Sequence, residues 1–493
     1  MGPNQAKPSL SEGPDVRAVA LPFAAVVLAM LPAVLDQTIL ATALPTIAGD
    51  LGRVADLSWI VTAYVVAAAA ATPLWGKLGD RHGRRRLLEI SLAMFLATSA
   101  VCGLAGDLTV LVCARAAQGV AAGGLMTLAM AAVGDLVSPR ERGRYQGYIA
   151  ATFAVATVIG PLVGGLLVQH ASWRWVFYVN LPLGFAALAG LRLRFPATPG
   201  ERGSQPLDVV GAALLAGATC ALMLACIWGG NRYAWDSTEV IGLLVACALL
   251  AVALVARERR AADPIVPLGL LRTPTVAISS AALFLTTAAL FSINVFVPLF
   301  LQATTGATPT QAGLLLIPAM AGITISTNFA GRAIARTGRY KRFPLIGLAL
   351  MAGALALLAV VAGDPSRVTT GIGIAVFGLG FGMVGQVLIV AVQNGVDRRE
   401  LGVAMATTSF FRALGGALGA AALGAVFAAS GGSGRAEVIN GVQTVFLVAA
   451  PIALLALLLV LALKEVPLQG APPAPKPERR RTDPLAPTTE VTT

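Results

Sequence analysis

Stretches of about 20 or more mostly apolar residues recur along almost the whole chain between residues 18 and 464, and each is long enough to cross roughly 30 Å of hydrocarbon. With no water in that layer, the backbone polar groups of such stretches must be satisfied within helices. The expected fold is therefore an all-α membrane protein. Fourteen spans are predicted, at 18–44, 58–78, 87–105, 109–134, 145–169, 174–192, 207–228, 238–257, 274–301, 309–330, 343–363, 368–392, 401–428 and 441–464. Composition agrees: 57% hydrophobic and 12% charged residues exclude an ordinary soluble domain.

An even span count puts both termini on one side, and the lysines and arginines choose the side. Of 36 such residues, 29 fall in the tails and alternate loops that share a side with Asp80. That side, with both termini, is predicted to be cytoplasmic. The opposite side carries only Arg53, Arg174, Arg232, Arg367 and Arg435, while Arg115 and Arg412 fall inside spans. Five of six tryptophans lie near predicted outer ends, where an indole can bury its ring and keep a polar partner. The formal charge of +12 is thus spread over every inner loop as topology requires, and no nucleic-acid partner is expected.

The remaining features narrow the function. The first apolar run follows a polar tail, 1–17, and is too long for a cleaved signal peptide. All five cysteines sit in apolar runs, which offers neither a disulfide framework nor a metal spacing. The proline-rich segment 465–493, with Arg479 to Arg481, reads as a disordered cytoplasmic tail able to touch anionic membrane lipid. No phosphate-binding Gly-x-x-x-x-Gly-Lys-Ser/Thr motif appears, so no nucleotide or other cofactor is expected and energy must come from a gradient. An intramembrane enzyme is disfavoured, because the two histidines, His82 and His170, sit at loop edges and no His-Glu-x-x-His occurs.

One loop carries a specific signature. Gly76-Lys77-Leu78-Gly79-Asp80-Arg81-His82-Gly83-Arg84-Arg85-Arg86 resembles the loop between spans two and three of the major facilitator superfamily of secondary transporters. Gly76, Arg81, Gly83 and Arg84 recur at an offset of 255 as Gly331, Arg336, Gly338 and Arg339, whereas Asp80 is replaced by Ala335. The resemblance implies two six-helix bundles, 18–192 and 274–464, with the pair at 207–257 inserted between them, working by alternating access. It also implies a gating role for this loop, in which Asp80 pairs with Arg84 and a helix end.

Charge inside the membrane is costly, about 2.5 to 3.5 kcal/mol per group on insertion scales, and so marks function. Asp36 and Arg115 lie roughly 9 to 12 Å inside the outer ends of spans one and four at 1.5 Å per residue, a matching depth. Leu35-Asp36-Gln37-Thr38 with Ala43-Leu44-Pro45, and Arg115-Ala116-Ala117-Gln118-Gly119, resemble signatures of the fourteen-span drug:proton antiporters. The pair could be a static tie between two helices. The reading adopted is proton coupling, since burial disfavours a carboxylate's charge and a nearby arginine favours it, so a change in either moves a proton. Asp36 is assigned the proton and Arg115 its tuning. Arg412, in Phe410-Phe411-Arg412-Ala413-Leu414-Gly415-Gly416, resembles a recurrent element of the same family. It either lines the central cavity for an anionic or carbonyl-bearing substrate or caps a carbonyl of a neighbouring helix.

Gly160-Pro161-Leu162-Val163-Gly164-Gly165 resembles the antiporter motif of proton-coupled exporters, with Ala156 where a glycine is often found. Ser172 to Pro182 resembles their entry to span six. Gln37, Thr38, Gln118, Asn294, Asn328, Gln386 and Gln393 are the polar candidates for an otherwise apolar cavity, although each can instead tie two helices together. The resemblance implies an exporter of amphiphilic drugs or antibiotics in exchange for protons, acting as a monomer in the cytoplasmic membrane, and the excess of arginine over lysine, 31 to 5, points to a bacterial one. Export or flipping of a lipid or endogenous metabolite is the alternative, and a transport-silent sensor a remote one.

Overall fold

The computed structural model describes residues 16–51, 58–139, 141–196, 208–230, 232–261, 264–265, 268–305, 316–362, 367–430, 434–466 and 468. Thirteen helical segments among these are long and apolar enough to cross a membrane. Most of the predicted span 309–330 falls on helix Ile317–Thr337, which is not one of the thirteen, and residues 306–315 lie outside the described residues.

The first half comprises α1 (Val16–Leu51), α2 (Ser58–His82), α3 (Arg84–Leu104), α4 (Leu108–Leu136), α5 (Arg142–His170), the short α6 (Trp175–Tyr178) and α7 (Asn180–Arg194). An inserted pair follows, α8 (Val209–Trp228) and α9 (Thr238–Glu258), then the short α10 (Leu268–Arg272). The second half runs through α11 (Pro274–Phe291), a π-helical turn (Ser292–Phe296), α12 (Val297–Thr305), α13 (Ile317–Thr337), α14 (Arg342–Val361), α15 (Arg367–Gly395), α16 (Leu401–Ser430) and α17 (Arg435–Leu461). Helix α1 continues well past the expected end at residue 44, and the Asp50 carboxylate in its last turn accepts from the Trp173 indole at 2.8 Å, which holds that end against the chain before α6.

Small residues set the packing inside each half. Lipid tails are as apolar as leucine, so helices gain by close backbone approach rather than by apolar burial alone. A side chain at Gly119 or Gly123 of α4 would strike the backbone carbonyls of Tyr64 or Ala68 on α2. The second half repeats the device: Gly378 and Gly382 of α15 lie against the carbonyls of Ala319 and Ile323 on α13. The sequence repeat has a backbone counterpart too. Gly83 (φ 89°) and Gly338 (φ 69°) both adopt a positive φ that other residues avoid, each where one helix ends and the chain turns into the next.

The two halves meet on the Asp80 side through the same repeated elements. Gly76 of α2 abuts Gly402 and Ala406 of α16, while Gly331 of α13 abuts Gly143 of α5. A side chain at Gly331 would enter the Gly143 backbone. The inserted α8 packs beside α2 and α16, with Met223 in a small cluster that includes Val66, Ala69, Ala413 and Ala417. The Trp59 and Trp228 rings meet edge to face at 5.2 Å. Helix α9 presents Val245, Leu249 and Val252 outward, as a lipid-facing helix should.

Gly331→Leu is expected to leave both halves folded but to hold α5 and α13 apart on this side. Spin labels at the exposed Arg144 and Thr337 should then report a mean separation several ångströms longer, about one side-chain width; an unchanged distance would show that this approach does not limit closure.

Candidate functional site

The Asp36 carboxylate is fully buried within the first half, and three donors from two other helices converge on it. Arg115 Nη1 lies 2.5 Å from Oδ2, and Gln118 Nε2 and Asn180 Nδ2 each donate to Oδ1 at 3.1 Å. Arg115 is held in turn: Nη1 donates to Gln118 Oε1 at 2.7 Å, Nε to the Ile60 carbonyl at 3.3 Å, and the guanidinium lies over the Tyr64 ring at 4.2 Å. Ser99 of α3 closes the ring, accepting from Gln118 and Asn180 and donating to the Phe177 carbonyl at 2.9 Å. Five helices, α1 to α4 and α7, thus contribute to one buried polar cluster.

The expected meeting of Asp36 and Arg115 is what the structure places there, and Gln118 belongs to this cluster. Asn180, Ser99 and Tyr64 were not singled out. Asn180 lies in the Ser172–Pro182 segment that resembles the entry to span six, but its partner is set by helix rotation, and Ser99 carries no signal beyond being a small polar residue. One turn along from the cluster, α5 presses on α1. Thr38 Oγ1 donates to the Leu35 carbonyl at 3.0 Å and reaches the Ala156 carbonyl at 3.4 Å, and a side chain at Gly160 would strike it. Gly164 lies against Thr42 and the Ile39 carbonyl, while Pro161 and Gly165 face outward. Two glycines of the motif therefore fix how closely α5 approaches the helix that carries Asp36.

The basic loop forms a second cluster, between the halves. Asp80 accepts from Gly402 N and Val403 N, both at 2.9 Å, at the start of α16. A carboxylate here satisfies backbone donors that have no partner within their own helix and complements the positive end of its dipole. Arg84 Nη2 donates to Asp80 at 2.8 Å, and Nη1 pairs with Asp135 of α4. Arg81 is half-buried at the end of α2. Arg142 of α5 reaches across to the Gln393 carbonyl at 2.7 Å, and Gln393 Nε2 donates to the Met130 carbonyl at 3.1 Å. Ala335 leaves the matching position in the second half without a carboxylate, so the two repeated loops are chemically unequal.

The remaining polar candidates are dispersed. Gln37 is exposed on α1, and Asn294 is exposed on the π-helical turn, a feature often found where a helix is shaped for function. Asn328 donates to the Gly147 carbonyl at 3.3 Å and so ties α13 to α5. Gln386 on α15 has a buried Oε1 with no hydrogen-bond partner among the described residues. Arg412 on α16 borders a small cavity between the halves, with Met130, Leu283, Ile389 and Met405 among its walls.

The sequence profile of the Major Facilitator Superfamily matches residues 26–420. The chain belongs to the major facilitator superfamily. Among related proteins, an uncharacterized MFS-type transporter of Mycobacterium tuberculosis is 40% identical over 406 residues, 82% of this chain but 59% of its own length. The chain therefore spans about six-tenths of that relative. The multidrug transporter protein MdtP of Bacillus subtilis is 34% identical, over 83% of this chain and 75% of its own. Multidrug resistance protein 3 of the same species is 32% identical, over 85% and 84%. The crystal structure of the human organic anion transporter MFSD10 superposes with a TM-score of 0.67 at 18% identity, covering 91% of this chain and all of that one, which shows the shared fold. The superfamily transports small molecules without a cofactor and is not an enzyme family. Among the described residues no cluster of three or more His, Cys, Asp or Glu could hold a metal.

In this superfamily member, removing one partner of the buried pair should cost about 3 to 5 kcal/mol by leaving an uncompensated buried charge, more than removing both charges costs. Arg115→Gln is expected to unfold at a lower temperature than Asp36→Asn/Arg115→Gln; equal melting of wild type and the single variant would show that the pair is not the tie described. Asp80→Ala should lower stability by about 1 kcal/mol, as loss of a helix cap does, with thermal unfolding in detergent as the readout.

Proposed function

We propose that the chain is a proton-driven exporter of amphiphilic small molecules, working by alternating access with Asp36 as the proton-carrying group and the Asp80 side facing the cytoplasm. The observation that carries this reading is the burial of Asp36, with its carboxylate held by Arg115, Gln118 and Asn180 across three helices. Such a group is costly in a bilayer, so its presence favours a use. The multidrug names of two relatives sharing 32 to 34% identity support efflux and a broad substrate range. The lopsided distribution of cations supports the orientation, with 29 of 36 lysines and arginines on the Asp80 side.

A cycle follows from these contacts. In the conformation seen here the Asp80 side is shut by the Asp80 cap on α16, the Arg142 bond to Gln393 and the two glycine approaches, while Asp36 is sealed inside the first half. A proton arriving on Asp36 removes the charge that Arg115 answers. Arg115 retains Gln118 Oε1, the Ile60 carbonyl and the Tyr64 ring as partners, so it need not leave its place when the pair is broken. The loosened α1 can then shift against α5 along the Thr38–Gly160 and Thr42–Gly164 contacts, changing which side of the halves is closed. Reopening the Asp80 side requires Asp80 to release the first turn of α16, and release of the proton on that side restores the pair with Arg115.

The test is reconstitution into liposomes with an imposed proton gradient, following lumenal pH as amphiphilic dyes and antibiotics are added. Wild type is expected to leak protons in response to substrate and Asp36→Asn to leak none. Equal substrate-driven proton movement by both would remove Asp36 from the mechanism, and substrate movement without protons would replace antiport with another driving force.

A further inference from the structure

Arg412 is a charged candidate whose chemistry the contacts above leave unanswered. It lies eleven residues from the Asp80-side end of α16, about 16 Å at 1.5 Å per residue, which is mid-depth in a membrane span. Among the described residues it makes no hydrogen bond, ion pair or ring contact, so the alternative of capping a neighbouring carbonyl is not what the structure shows. Ser409, three residues earlier and hence on the same face of α16, also lacks a hydrogen-bond partner there, and both border the same cavity.

The surroundings give this guanidinium no reason to be where it is. The cavity walls include Met130 from the first half and Leu283, Ile389 and Met405 from the second, and none of these carries charge. An unpaired cation at this depth costs free energy that a structural role would have to offset with contacts it does not make. One turn along from Ile389 on α15, Gln386 holds a second unsatisfied polar atom. The cavity holds about 10 Å³, room for roughly one water. Met130 and Met405 in its lining are flexible side chains that adapt to varied apolar partners. Because its walls come from both halves, it widens when they separate.

We propose that Arg412 and Ser409 form an anion-recognising subsite of the transport cavity, and that the chain accepts amphiphiles bearing a carboxylate, whose two oxygens match the planar guanidinium fork. The apolar walls would take the rest of the molecule, and the anion would supply the charge that Arg412 lacks. This deepens the export reading by naming a substrate class, and it rests on that reading only for the direction of movement.

The test is equilibrium binding without any gradient, so that its failure leaves proton-driven export standing and the failure of export leaves binding standing. Fluorescence polarisation of 9-anthracenecarboxylate and of its neutral carboxamide is measured on protein in phosphatidylcholine nanodiscs against empty nanodiscs. Wild type should bind the carboxylate about tenfold more tightly than the carboxamide, the ratio for one charge-assisted pair. Arg412→Gln should bind both alike, and Arg412→Lys, which keeps the charge but not the fork, should fall between. Equal binding of the two probes by wild type would overturn the proposal, with no variant needed. A full preference retained by Arg412→Gln would also overturn it, as would displacement of the probe by phosphatidylglycerol in the nanodisc, which would assign the cation to a lipid headgroup.

Discussion

A charged carboxylate in the interior of a helix bundle must be answered at once by donors, and the way Asp36 is answered organises the first half of this molecule. Arg115 supplies the countercharge, but Gln118 and Asn180 supply the remaining hydrogen bonds, and Ser99 locks those two amides to each other. Each partner comes from a helix whose depth and rotation are thereby specified. A half-satisfied network would be worse than an apolar core, since an unmet charge in low dielectric costs several kcal/mol. Both Asp36 oxygens are met, although Asn180 Oδ1 has no partner among the described residues, and this answer to the charge is what a single added proton would disturb.

The second constraint is close approach. The glycines of α4, α5, α13, α15 and α16 let backbones touch where bilayer solvent gives no apolar driving force between helices. Two kinds of contact result. Those inside a half, such as Gly123 on Ala68, hold a rigid bundle. Those between halves, Gly76 on Gly402 and Gly331 on Gly143, are matched across the sequence repeat and meet on one side only, where Asp80 adds a bond to the α16 backbone. The first kind gives a body that can move as a unit, and the second a seam that can part.

Much of this was legible in the sequence because it rests on local chemistry. Apolar runs must be helices, a positive φ selects glycine at Gly83 and Gly338, and opposite mid-span charges at one depth can meet, so Asp36 and Arg115 could be paired by depth alone. What was not legible depends on rotation about helix axes. Asn180 and Ser99 read as isolated polar residues until the helices bring them to Asp36. Thr38 and Gln118 read as cavity residues, yet the first faces α5 and the second joins the buried cluster. Arg412 was the reverse case: its cost was visible in the sequence, and only the packing shows that no partner among the described residues answers it.

The central proposal is that Asp36 exchanges a proton. Infrared difference spectroscopy on the reconstituted protein, stepping between alkaline and acidic buffer, reads carboxyl protonation directly. The account predicts a protonated-carboxyl band in wild type that disappears in Asp36→Asn and is perturbed in Arg115→Lys. A spectrum identical in wild type and Asp36→Asn would contradict it and leave the Asp36–Arg115 pair as a structural tie.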